Sequence, residues 1–413
     1  MTPDLARALI DDQFPALAPC AVEPLGFGWD NTAFLVNGDL AFRFPRRQLG
    51  ADCLAHEIRV LPHLARRLPL PIPDPIHVGR ASDQFPWPFA GYRHLAGRTA
   101  CSVGLGDSQR SAAAIPLARF LRTLHSLPID EVRQYGAPLD TLGRLDPVRR
   151  VPQAQQRLEE IKQLGLIVET DPWLAVIEET AIARPAEASV LVHGDLYLRH
   201  LLVGDDNRPC GVIDWGDVHF GDPALDLSIA HSFLPRSAHA AFRDSYGTID
   251  EPTWRLARFR ALQYGTYLAP YGYAIGDHDL VREALWILHN IETTTASNDT
   301  NDGISDESCP TASVLHPSEA GPHYPDEGTK EGQMNLTESQ AYAMLEIGGR
   351  AEAHGFIPIR DLNDLQSYGL IYWEKPDEVV FTQRGEEVFA ELAAVAEKDL
   401  AQTDRQPPET RNR

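Results

Sequence analysis

The sequence predicts an α+β fold of two unequal lobes, a small β-rich one followed by a larger helical one, with a further small module at the C-terminus. Three observations carry that prediction. Short apolar runs separated by turn residues crowd residues 1–95. Helical spacing of apolar residues dominates from about 108 to 292. Residues 293–334 then break the pattern, with eight acids, one base (Lys330) and one aromatic (Tyr324). Such a segment buries too little apolar surface to offset chain entropy, so it reads as a flexible linker.

Residues 3–16 read as a short amphipathic helix, with Thr2 placed to cap it and Pro3 suited to its first turn. Val22 to Leu25 lead into Gly26-Phe27-Gly28-Trp29-Asp30-Asn31, and Thr32 to Val36 lead away, a strand–turn–strand pattern. Asn37-Gly38 is a strong hairpin turn, and Leu40 to Pro45 follow as a third strand. Leu54, Ile58, Leu61 and Leu64 set helical spacing over 51–66, which Pro-rich residues 69–75 end. Strands around Ile76–Val78 and Phe89–His94 complete the small lobe, 1–95. In the larger lobe, 96–292, Leu117, Phe120, Leu121 and Leu124 form one helical stripe. Helices are also expected over 147–165, 170–184 and most of 224–292, with short apolar strands at Val190–Val192, Leu201–Val203 and Gly211–Ile213. Beyond the linker, 335–395 read as two helices, a hairpin around Pro376-Asp377 and a closing helix, and 396–413 as a frayed tail.

Charge narrows the function classes. The 413 residues hold 59 acids and 37 bases, a formal charge of −22. Residues 293–413 contribute 23 acids and 9 bases, which leaves only −8 on residues 1–292. No basic footprint for nucleic acid or an anionic membrane is present. Five widely spaced cysteines offer neither a CxxC pair nor Cys/His metal spacing, the pattern of idle thiols in a reducing compartment. The N-terminus lacks a basic region followed by a long apolar run, and no stretch reaches the roughly 18 apolar residues of a membrane span. The expected location is cytoplasmic.

The sharpest feature is Leu191-Val192-His193-Gly194-Asp195, followed by Gly211-Val212-Ile213-Asp214-Trp215-Gly216-Asp217, Gly221-Asp222-Pro223 and Asp226-Leu227. Two short apolar strands each present a carboxylate near their end. One carboxylate can accept a proton from a nucleophile while the other holds a divalent cation. Phosphoryl transfer needs that division, because its catalysis is mostly positioning and charge neutralisation. Mg²⁺ suits such a site, since it keeps waters and phosphates in its shell and needs only one or two protein carboxylates.

From about residue 20 to 292 the chain resembles the aminoglycoside phosphotransferase family, small-molecule kinases with a protein-kinase-like fold. His193-x-Asp195, Ile213-Asp214 and Gly221-Asp222-Pro223 with Asp226-Leu227 carry the resemblance. It implies Asp195 as catalytic base and Asp214 as Mg²⁺ ligand. Where most of the family has Asn, five residues after the base, this chain has His200. A similar His occurs in the 2″-aminoglycoside and macrolide phosphotransferases, which implies His200 as a second metal ligand. Imidazole is a softer ligand than an amide oxygen. Many of those relatives accept GTP, so ATP and GTP both stand as co-substrates.

The same resemblance assigns the nucleotide side. Gly26-x-Gly28 sits where a phosphate-covering loop is expected. Arg43 stands where the family's third strand carries a Lys, and no Lys precedes Lys162. Arg can still bind phosphate oxygens through its planar fork. Glu57 is its implied partner, and Arg46 and Arg47 are near enough to compete for phosphates. Phe89 to Gly97 resembles the hinge between lobes, with main-chain groups near Tyr92 and His94 meeting the purine edge. His125 reads as a satisfied core histidine. Asp217, Asp222, Asp226, Asp244, Asp277 and Asp279, with the tyrosines from 264 to 273, are available to an acceptor pocket, although Asp222 and Asp226 could equally brace the catalytic loop.

The implied activity is Mg²⁺-dependent transfer of a γ-phosphate to a hydroxyl of a small molecule, with an aminoglycoside or macrolide antibiotic as the acceptor class suggested. The rival reading is a catalytically degenerate nucleotide-binding regulator acting through the C-terminal module. The missing Lys and His200 favour it, and the intact Asp195 and Asp214 oppose it. Residues 335–395 resemble a winged-helix fold, yet 335–392 hold 11 acids against 4 bases. A DNA reader needs the opposite balance, so contact with a protein or self-association is the expected role.

Overall fold

The computed structural model describes residues 1–27, 30–140, 142–181, 183, 185, 190–292, 371–375 and 378–381. The first element is helix α1 (Pro3–Gln13), where the Thr2 hydroxyl accepts the Leu5 N–H at 3.3 Å. Strands β1 (Val22–Phe27), β2 (Asn31–Val36) and β3 (Leu40–Pro45) form an antiparallel meander. Asn37 and Gly38 both take positive φ, 53° and 78°, which matches the turn to the right-handed twist of the strands it joins. After α2 (Gln48–Leu64), β4 (Pro75–Gly79) and β5 (Phe89–Arg93) close the sheet in the order β1-β2-β3-β5-β4.

Strand alternation divides the two faces of this sheet. Phe34, Phe42, Phe44 and Phe89 lie on one face and pack with Ala6, Leu9 and Ile10 of α1 into a small core. Arg43 falls on the other face, as do Ala90 and Tyr92. Those two join Leu54, Val60 and Leu61 of α2 in the larger core.

The helical lobe runs through β6 (Arg98–Thr99), α3 (Asp107–Ala112), α4 (Ala114–His125), α5 (Ile129–Arg133), α6 (Pro147–Gln163) and α7 (Asp171–Ala181). Four short strands follow: β7 (Val190–Val192), β8 (Leu201–Val203), β9 (Pro209–Val212) and β10 (His219–Gly221). β8 pairs with β6 and β9, and β10 with β7. Then come α8 (Ala224–Leu227), α9 (Ile229–Ser232), α10 (His239–Tyr246), α11 (Glu251–Ala274) and α12 (His278–Ile291). Asp250 caps α11 by accepting the Thr253 N–H at 2.8 Å, and Asp277 caps α12 through the Leu280 N–H at 2.9 Å. α11 is buried on most sides, with Phe259, Leu262 and Ala269 inside the core beside Phe120, Leu191 and Trp215.

Toward the C-terminus, β11 (Ile371–Lys375) and β12 (Glu378–Phe381) form the expected hairpin, pairing Ile371 with Phe381 and Trp373 with Val379. The helices expected around it, the linker 293–334, most of the module 335–395 and the tail 396–413 lie outside the described residues. Cys20, Cys53, Cys101 and Cys210 are free thiols. Among the described residues no helix is long and apolar enough to cross a membrane.

Candidate active site

Asp195 lies in the loop between β7 and β8, and that loop is tied down from three directions. Asp226, completely buried on α8, accepts the His193 N–H at 2.7 Å and the Gly194 N–H at 2.9 Å. His125 from α4 reaches the same carboxylate at 3.1 Å and the Tyr246 hydroxyl at 2.9 Å. Asp226 therefore braces the catalytic loop, and His125 is a satisfied buried histidine. Gly194 has φ +85°, and a Cβ there would stand 2.4 Å from the Asp217 carbonyl oxygen, so only glycine fits.

His193 joins the two carboxylate-bearing segments. Its Nε2 lies 3.0 Å from the Ile213 carbonyl, which can only accept, so Nε2 carries the proton. Nδ1 is then free to accept the Asp195 N–H at 3.3 Å. Burial pushes the His193 pKa down and keeps the ring neutral in this role.

Asp214, just beyond β9, takes φ +62°, a left-handed conformation uncommon for any residue but glycine. Its Oδ1 accepts from Arg43 Nη2 at 2.9 Å. Arg43 Nη1 meanwhile donates to both oxygens of Glu57, at 2.7 and 2.9 Å, and the Tyr92 hydroxyl donates to Glu57 Oε2 at 2.9 Å. Burial works against the Arg43 charge, but Glu57 and Asp214 outweigh it and raise its pKa. Enclosure likewise opposes ionisation of Asp214, yet Arg43 and His200 hold its carboxyl well below the usual range. The predicted Arg43–Glu57 pair thus exists, and it extends across 171 residues of sequence to Asp214.

His200 stands between the two carboxylates. Its Nδ1 donates to the Asp195 main-chain carbonyl at 2.8 Å, which leaves Nε2 to face Asp214 Oδ2 at 3.4 Å. In the neutral ring Nε2 presents a lone pair. One imidazole nitrogen and one carboxylate oxygen so placed fit a divalent ion that keeps waters and phosphates in its remaining positions. Among the described residues no group of three or more His, Cys, Asp or Glu side chains forms a closed metal cage.

On the opposite side Asp195 Oδ1 accepts from Tyr264 Oη at 3.0 Å and from Arg260 Nη2 at 3.3 Å, both from α11. Tyr264 stacks on Tyr197 with ring centroids 5.0 Å apart, and Tyr197 meets His200 edge-on at 4.5 Å. Sequence reasoning did not single out Arg260. Its sequence signal was weak, since Arg255 and Arg258 precede it on the same helix and Arg260 differs only in lying between Phe259 and Ala261-Leu262.

Several of the other expected residues have partners within the protein. The Tyr92 hydroxyl is spent on Glu57, its strand lies between β3 and β4, and the His94 N–H bonds the Asp39 carbonyl at 2.8 Å. Arg47 pairs with Asp30 at 2.7 Å. Gly26 is the next-to-last residue of β1, beside a bulge, and is exposed, while Gly28 lies outside the described residues. Four of the acids named for an acceptor pocket make contacts within the protein. Asp222 accepts the Ala224 N–H at 2.8 Å, Asp277 caps α12, Asp279 pairs with Arg282, and Asp217 pairs with Arg144.

A family model described as the phosphotransferase enzyme family matches residues 21–260. Among solved structures, the GDP complex of wild-type aminoglycoside 2'-phosphotransferase-IIIa is 26% identical at a TM-score of 0.51, covering 70% of this chain and 98% of that one. The GDP complex of a point mutant of that enzyme is also 26% identical at 0.51, covering 70% and 97%. A macrolide 2'-phosphotransferase type I is 23% identical at 0.43, covering 69% and 97%. No curated protein matches.

Proposed function

The chain belongs to the phosphotransferase enzyme family, and we propose that it transfers the γ-phosphoryl group of ATP or GTP to a hydroxyl of a small molecule, with Asp195 as base. One observation carries the reading. His200 lies 3.6 Å from Asp195 Oδ2 through Nδ1 and 3.4 Å from Asp214 Oδ2 through Nε2, so a proton acceptor and a cation-binding carboxylate flank one point. The acceptor hydroxyl gives its proton to Asp195 as its oxygen forms the new bond to phosphorus and the bond to the leaving diphosphate breaks. Arg43, held by Glu57 and Asp214, would bring its positive charge to the phosphates in place of a lysine. Asp214 and His200 would hold Mg²⁺, which supplies charge neutralisation on the phosphate oxygens.

The GDP complexes of the 26%-identical relative support a nucleotide co-substrate and leave GTP as open as ATP. That relative's name supports an aminoglycoside as one acceptor to try. The acidic segment 335–395 is proposed as a contact surface for a protein or a second copy, supported by its charge balance.

The test is a screen of purified full-length protein with Mg²⁺ and either nucleotide against hydroxyl acceptors, including an aminoglycoside, a macrolide and simple metabolic alcohols. The readouts are the mass shift of the acceptor and release of the diphosphate. A phosphorylated acceptor is the expected result. Nucleotide binding with no acceptor-stimulated diphosphate release would sink the transferase reading in favour of a regulator.

A further inference from the structure

We propose that Arg260 and Tyr264 are positioning residues of the transfer, which together hold Asp195 Oδ1 so that Oδ2 is the oxygen left to take the acceptor's proton. This rests on the reading of Asp195 as the base. Tyr264 Oη donates to Asp195 Oδ1 at 3.0 Å, and Arg260 Nη2 donates to the same oxygen at 3.3 Å and to Tyr264 Oη at 3.1 Å. A carboxylate oxygen has about two lone-pair sites, and two donors fill those of Oδ1. Oδ2 faces His200 Nδ1 at 3.6 Å, beyond hydrogen-bond range, on the side where Asp214 stands. The free oxygen of the base therefore points toward the cation and phosphate side of the site.

Packing does not account for this pair. Arg260 is 7% exposed, and its Nε is buried without a hydrogen-bond partner. A buried cation with one unpaired N–H is unfavourable unless something requires the charge there. Its other bonds serve to fix it. Nη1 donates to Gln263 Oε1 at 2.8 Å, and the guanidinium lies 4.3 Å over the Tyr264 ring. Gln263 Nε2 in turn donates to the Arg144 carbonyl at 3.3 Å. The Tyr264 ring stacks on Tyr197, whose ring abuts His200. One turn of α11 thereby sets both the rotation of the base and the ring that faces Asp214. Burial raises the Tyr264 pKa, with Arg260 opposing it and Asp195 adding to it, and this keeps the hydroxyl a donor.

The experiment uses full-length protein with Mg²⁺ and ATP or GTP, water serving as the acceptor, with phosphate release followed across nucleotide concentration. Tyr264→Phe is expected to lower kcat about tenfold and Arg260→Gln about a hundredfold, the latter at the low end of the loss seen when a single stabilising donor is removed. Nucleotide KM and the melting temperature should stay near wild type, and Arg260→Lys should recover part of the loss. In an Asp195→Asn background, adding Tyr264→Phe should leave the residual rate unchanged, because the proton acceptor it holds is gone. Wild-type kcat in Arg260→Gln and Tyr264→Phe, beside an inactive Asp195→Asn, overturns this inference alone. Retained phosphate release in Asp195→Asn overturns the assignment of the base as well.

Discussion

Asp214 at φ +62° holds a conformation that costs a side-chain-bearing residue about 1 kcal/mol or more, and Asp tolerates it better than most. That backbone turn aims the carboxylate back toward Arg43 and His200. On the proposed reading Asp214→Ala is expected to reduce turnover by about a thousandfold or more in a protein that still folds, with some stability lost as the ion pair to Arg43 goes. Asp195→Ala should do the same, and rapid-quench turnover with both variants checks the pair. Arg43→Lys keeps a cation but loses the fork that spans Glu57 and Asp214 at once. We expect roughly a tenfold rise in nucleotide KM, read from initial rates. Asp226 acts differently. Removing it in Asp226→Ala strands the buried His193 and Gly194 N–H groups and the His125 ring, at a cost of about 3 kcal/mol. A urea titration with an unchanged midpoint would refute that brace. The motif spacing made Asp195 and Asp214 legible. The role of Asp226 stayed ambiguous, because a carboxylate three residues past a proline reads the same whether it lines a pocket or grips a loop.

At the scale of elements, most boundaries followed from apolar spacing and turn residues, and the differences have local causes. The third strand of the catalytic segment was expected at 211–213, and β9 instead spans Pro209–Val212. Ile213 leaves the ladder because its N–H bonds the His200 carbonyl at 2.9 Å and its own carbonyl takes His193 Nε2. Helix α2 starts at Gln48 rather than 51. Residues 48–50 lack the periodic apolar signal, and Gly50 packs where a Cβ would sit 2.3 Å from the Asp30 carbonyl oxygen. On β3 the alternation that sends Phe42 into the small core sends Arg43 to the site, so the two are mechanically linked. Phe42→Ala, at a fully buried position, should cost about 4 kcal/mol in denaturant stability. Its nucleotide KM should rise as Arg43 loosens, and an unchanged KM in folded variant protein would break the link.

For the whole molecule, buried histidines set the acid response. Burial pushes the pKa values of His193, His219 and His231 below the ordinary 6.5. The unfolded chain therefore takes up protons first as pH falls through about 6.5, and stability drops from there toward the lower folded values. Asp214 and Asp226 are held below the usual carboxylate range, so their contribution is intact above about pH 4 and is lost at more acidic pH. A urea midpoint clearly lower at pH 5.5 than at pH 7.5 is the expected outcome, and equal midpoints would contradict it. Local pattern pointed to the two lobes and to the strand ends bearing Asp195 and Asp214, because strand alternation, helical spacing and turn residues act within a few positions of one another, and the resemblance of the motifs pointed to the family. Only the tertiary structure decided that Arg43 reaches Asp214, that Tyr92 closes on Glu57, and that Arg260 and Tyr264, 65 and 69 residues beyond Asp195, grip one of its oxygens. Those contacts depend on the rotation of α11 and the approach of the two lobes to within tenths of an ångström, and a hydrogen bond is made or lost on that scale while the sequence period stays the same.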